Sequence, residues 1–118
     1  MRALREKPLK IVTMCHGGNV RSVGLKFLLR YKYGHDALAC GTDGNTTEAK
    51  EMLFNWADYI VILEKSMEAS VPEKFKKQED GSAKLFCYDV GMDRFGYAFH
   101  PELQKMLDGM IKQHGLFV

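Results

Sequence analysis

The run Tyr59-Ile60-Val61-Ile62-Leu63 constrains the fold more than any other stretch of this chain. It is apolar and largely β-branched, which favours extended backbone, and it lacks the alternation of a strand with one wet face. Three further segments have the same character: Leu9 to Met14 (LKIVTM), Asp36 to Cys40 (DALAC) and Lys84 to Val90 (KLFCYDV). Strands covered on both faces belong to parallel sheets, whose crossover connections run through helices. The intervening segments have the helical period. Val23, Phe27, Leu28 and Tyr31 recur at helical spacing until Gly34 stops the helix. Thr46 or Thr47 can cap a second helix with Ala49, Met52, Leu53 and Trp56 on one face. Ser66 caps a short helical stretch that Pro72 interrupts, and the polar run from Lys74 to Ser82 is a surface loop. Pro101 suits the first turn of a last helix with an apolar stripe of Leu103, Met106, Leu107, Met110 and Ile111, ending near Gly115.

The order βαβαβαβα predicts an α/β fold: a four-stranded parallel sheet, doubly wound, in a flavodoxin-like three-layer sandwich. The 118 residues suffice for one domain, with 1–8 expected as a flexible basic tail. Arg2, Arg5, Lys7 and Lys10 form the one basic cluster and read as solvated. A net charge of +2 gives no field that would call for nucleic acid or an anionic membrane. No apolar run reaches bilayer length, and the N-terminus lacks the apolar centre of a signal peptide. Three unevenly spaced cysteines argue against a disulfide framework, so the cytoplasm is the expected compartment. Cys40 and Cys87 fall in strands and read as packing residues. No histidine or cysteine pair has metal-ligand spacing, and no metal or cofactor is expected.

In such a sheet the ligand site lies beyond the carboxyl ends of the strands, where the strand order reverses. Cys15 closes the first strand, and the string Cys15-His16-Gly17-Gly18-Asn19-Val20-Arg21-Ser22 leads into the first helix. A thiol at a helix N-terminus beside a guanidinium ionises readily, which is what a nucleophile towards phosphate requires. Successive backbone N–H groups in a tight loop form an anion nest, and Gly17 and Gly18 permit positive φ and close approach to an anion. The spacing from Cys15 to Arg21 lets a planar guanidinium grip two phosphoryl oxygens, and the Ser22 hydroxyl can donate to the sulfur. His16 is read as facing outward rather than tuning the thiol.

The loop, its place near the N-terminus and the βαβα order resemble the low-molecular-weight protein tyrosine phosphatase family. Ala39-Cys40-Gly41-Thr42 is similar to the end of that family's second strand, and Ala57 to Leu63 followed by Glu64-Lys65-Ser66 to its third strand and following loop. The match covers most of the chain, loosely outside the catalytic loop. The family usually carries Asn where Gly18 stands, so Gly18 is expected to supply the unusual backbone conformation, with Asn19 bracing the loop. It often has a second cysteine at the place of Val20. Its substrate-recognition loop after Thr42 is longer.

The resemblance implies a phosphatase that forms a phosphocysteine on Cys15, with Arg21 as clamp and a phosphorylated protein or small phosphate monoester as partner. His16, Gly17, Gly18, Asn19, Val20 and Ser22 would bind the phosphate. The proton for the leaving oxygen needs a carboxylic acid. The family has Asp-Pro followed by aromatics after the fourth strand; here Asp93-Arg94-Phe95-Gly96-Tyr97 matches best, with Asp89 as the reserve acid or a loop-holding group. Phe95 and Tyr97 could wall the pocket and stack on an aryl ring, or pack on the fold as surface-loop aromatics. Two other readings share the scaffold. Arsenate reduction would need resolving cysteines, and Cys40 and Cys87 do not form a close pair. A phosphocarrier like the IIB subunits of sugar transport would generally lack an arginine at the place of Arg21, and a non-hydrolytic phosphate- or phosphopeptide-binding module would more often have lost the cysteine, the arginine or the acid. Oligomeric state is not legible in the sequence.

Overall fold

A computed structural model describes residues 8–118. Its elements are β1 (Lys10–Cys15), α1 (Arg21–Tyr31), β2 (Asp36–Gly41), α2 (Thr47–Trp56), β3 (Tyr59–Ile62), 3-10 turns at Lys65–Ser70 and Glu73–Phe75, β4 (Leu85–Cys87) and α3 (Pro101–His114). The sheet has the order β2-β1-β3-β4 with every pairing parallel. The chain moves one way from β1 to β2 and the other way from β2 to β3. Right-handed crossovers therefore put α1 and α2 on opposite faces, and α3 returns to pack beside α1. This is the expected doubly wound α/β sandwich. Central strands carry the core: Ile11, Val12, Met14, Ile60, Val61 and Ile62 are all 0% exposed. The order reverses between β1 and β3, so the crevice rule points to the end of β1, where Cys15 sits.

Several expectations are corrected. The third connection is 3-10 rather than α-helical, because Pro72 lacks an N–H and divides the segment into two short turns. The fourth strand spans three residues rather than Lys84 to Val90. Beyond it Tyr88 and Val90 still donate to Ile62 O and Leu63 O, but the Asp89 carboxylate accepts the Gly91 N–H and turns the chain out of the sheet. Thr46 is the cap of α2, accepting from Ala49 N. The inward face of α2 carries Phe54, packed on Phe75, while Met52 is 73% exposed. Likewise α1 buries Leu25, Leu28 and Leu29 and turns Phe27 and Tyr31 outward. There Phe27 meets Phe99 at 4.8 Å, so two apolar stripes compete on this helix and only one reaches the sheet. The last helix is as expected, with Leu103, Leu107 and Ile111 buried and Gly115 closing it at φ 82°.

Cys40 is buried, but Cys87 is exposed and does not pack in the core. The tail over 1–8 lies, except for Pro8, outside the described residues, and Lys10 is the first residue of β1 rather than part of it. Among the described residues no helix is long and apolar enough to cross a membrane.

Candidate active site

The site is built where β1 stops and α1 starts. Thr13, buried in β1, donates its hydroxyl to Ser22 O at 2.7 Å and so pins the first turn of α1 to the strand. No side chain caps α1. Its free amides turn instead towards Cys15, which is 2% exposed. The sulfur lies 3.1 Å from Ser22 Oγ and accepts the Gly18 N–H at 3.2 Å. Burial works to raise the thiol pKa, but the Ser22 hydroxyl and the backbone N–H groups of Ser22, Gly18 and Val20 outweigh it and hold the thiol below its ordinary value.

Glycine shapes the loop at two places. Gly18 has φ 74°, and a Cβ there would lie 2.7 Å from Gly41 N. A Cβ on Gly41 would in turn lie 2.6 Å from His16 O. The loop and the end of β2 thus press backbone to backbone, laced by Thr42 N–H to Cys15 O (2.8 Å) and Asp43 N–H to His16 O (3.0 Å). Asn45 Oδ1 accepts the Gly41 N–H at 2.8 Å and completes the brace. The expected conformation of Gly18 is therefore present. Asn19 is exposed, and its amide lies against Gly17, while Gly41 and Asn45 do the bracing. The glycine-rich string Gly41-Thr42-Asp43-Gly44-Asn45 was the signal in the sequence for this second half of the cradle.

Arg21 is almost wholly enclosed, its side chain 3% exposed. One terminal nitrogen donates to Glu64 Oε1 at 2.8 Å and to Gly91 O at 2.6 Å. Its Nε is buried and has no hydrogen-bond partner among the described residues. Glu64 is held below the usual carboxylate range by the Ser66 hydroxyl and by Arg21. Neither Glu64 nor Gly91 was singled out from the sequence. His16 stands half-exposed at the rim, with Nδ1 2.9 Å from Thr42 Oγ1 and Nε2 3.8 Å from Glu64 Oε2. The outward reading of His16 matches this placement.

The segment after β4 reaches the site through Gly91 O. Asp93 follows two residues later, exposed, with Oδ1 accepting the Phe95 N–H at 3.3 Å. Phe95 is 4% exposed and covered by the Arg94 guanidinium 4.3 Å from its ring centre, so it packs in the fold and offers no pocket wall. Tyr97 is 54% exposed and meets His100 at 5.5 Å. The structure thus gathers Cys15, Gly18, Val20 and Ser22 around one sulfur and joins Arg21 to Glu64 and Gly91. Burial, and the nearness of Cys15, push the Cys40 thiol up to about 11. Burial also pushes Cys87 up, with Asp89 adding to it. Among the described residues no three of His, Cys, Asp and Glu converge to hold a metal ion. No protein-family model, curated protein or solved structure matches the chain.

Proposed function

We propose that the chain is a cysteine-dependent phosphatase acting on phosphate monoesters, with phosphotyrosine in proteins as the substrate its resemblance to the low-molecular-weight phosphatases suggests. The observation that carries this reading is the buried Nε of Arg21. An unpaired guanidinium N–H costs about 1–3 kcal/mol or more where water is excluded, and a loop that shifts to admit an anionic oxygen would relieve it. The neighbouring thiol, held low by four donors from three residues, is the matching nucleophile.

In this mechanism the Cys15 thiolate attacks phosphorus while Arg21 and the loop amides take the charge on the equatorial oxygens. Asp93 gives a proton to the departing oxygen, and the P–O bond breaks as the S–P bond forms. Water then attacks the phosphocysteine, Asp93 accepts its proton, and Cys15 leaves as the thiolate that Ser22 and the amides stabilise. Disulfide relay to Cys87 fits less well. Cys87 is in register with Ile62, and Ile62 with Met14, which puts it two strand spacings, about 10 Å, from the end of β1, beyond the ~7 Å reach of a disulfide.

Hydrolysis of para-nitrophenyl phosphate by the wild-type chain and by Cys15→Ser tests the proposal. Turnover in the first and its loss in the second is the expected result. Turnover that survives Cys15→Ser would overturn it.

A further inference from the structure

Asp89 is not among the groups that touch phosphate in this mechanism, yet both of its carboxylate oxygens are engaged. Oδ1 accepts the Gly91 N–H at 2.9 Å, and Oδ2 accepts the Lys65 N–H at 3.4 Å. These two amides flank the two acceptors that hold Arg21. Glu64 is the residue before Lys65, and the other acceptor is the Gly91 carbonyl itself. The contacts close a ring: Arg21 to Glu64, along the chain to Lys65, across to Asp89, on to Gly91 N, and from Gly91 O back to Arg21. Gly91 closes it at φ 77°, a conformation open to glycine at little cost.

We infer that Asp89 is a positioning residue for the phosphate clamp: it ties the loop after β3 to the loop after β4, and so fixes the direction of the Arg21 guanidinium. The inference rests on the proposed phosphatase reading and deepens it. A carboxylate suits the place because the ring needs two acceptors on one short side chain, and a carboxylate is acceptor-only at both ends. An amide offers one acceptor and turns a donor towards another donor. The role also separates the two acids of the segment: Asp89 orients the clamp and Asp93 moves the proton.

The test compares Asp89→Asn, Asp89→Ala and Asp93→Asn on two substrates, para-nitrophenyl phosphate and an alkyl phosphate with a poor leaving group. Binding of inorganic phosphate is measured in parallel by calorimetry in a Cys15→Ser background, where no turnover is needed. Loss of an outer partner that orients a ligand-holding group costs about 10- to 100-fold in affinity or activity at metal sites, and the clamp is expected to behave alike. Asp89→Asn is therefore expected to weaken phosphate binding by that factor and to lower kcat/KM equally on both substrates. Asp93→Asn should spare phosphate binding and penalise the alkyl phosphate selectively. A selective loss on the alkyl phosphate in Asp89→Asn would make Asp89 the proton donor and overturn the inference. Unchanged phosphate binding in both folded Asp89 variants would overturn it as well. Failure of the phosphatase reading shows separately, as absence of Cys15-dependent turnover in the wild-type chain, and leaves the binding comparison readable.

Discussion

The two ends of the sheet differ in what they leave unpaired. At the amino end, between the starts of β3 and β4 and the 74–82 loop, lies a concavity of about 850 Å³. Several of the charges that line it have partners. Lys74 pairs with Glu51 at 3.0 Å, Lys84 donates to Phe54 O at 2.8 Å, and Asp80 accepts from Ser82 N at 2.9 Å. At the carboxyl end, where β1 meets α1, a buried guanidinium nitrogen has no partner among the described residues and a thiol is held below its usual pKa. The concavity and the proposed catalytic loop lie at opposite ends of the sheet. An unsatisfied buried donor calls for a partner of defined chemistry, which empty space does not, because leaving it unpaired is costly.

Changes at the carboxyl end should dominate. The largest follows from Arg21→Lys, which keeps the charge but loses the planar fork and the Nε donor. Turnover should fall by about 100- to 1000-fold, read as kcat/KM on an aryl phosphate. A loss under tenfold would break the contrast between the two ends.

Next is Gly18→Ala. Its Cβ would meet Gly41 N at 2.7 Å on backbone at φ 74°, so contact and conformation are both strained. A destabilisation of roughly 2 kcal/mol or more is expected from denaturant unfolding. A near-neutral result would show that the loop is not braced against β2.

The thiols supply a pH test. Alkylation follows the thiolate fraction, and Cys15 is shifted down while Cys87 is shifted up. As pH falls below the ordinary thiol value of about 8.5, labelling of exposed Cys87 should fade first and that of Cys15 persist. Mass spectrometry of iodoacetate-treated protein reads the order, and the reverse order would contradict the site's electrostatics.

The smallest effect belongs to the amino end. Lys77→Ala, at an exposed position lining the large concavity, should leave kcat/KM unchanged and shift stability by no more than about 0.5 kcal/mol. A substantial loss of turnover would mean that the two ends are coupled.

These contrasts also explain what could be read from the chain alone. Runs such as Tyr59 to Leu63 and Leu9 to Met14 declare themselves locally, because β-branched apolar stretches have one reading in a covered sheet. Cys15, Gly18, Arg21 and Ser22 were legible as a candidate site for the same reason, all lying in one short string. Glu64 and Gly91 were not. They reach Arg21 from 43 and 70 residues away, and nothing in either neighbourhood encodes that meeting. The faces of α1 and α2 were misread where apolar residues surround more than one side, since Phe27 and Met52 satisfy helical spacing as well as Leu25 and Phe54 do. Phe95 looked like a pocket wall by its neighbours in sequence, but the Arg94 guanidinium and the core claim it.

The central claim is a phosphoryl group carried on sulfur. Acid-quenching Asp93→Asn during turnover of an aryl phosphate, followed by mass mapping of the peptides, tests it most directly. One phosphoryl group is expected on Cys15, absent from Cys15→Ser and from protein quenched without substrate. Steady hydrolysis with Cys15 never modified, or the phosphoryl group found on another residue, would contradict it.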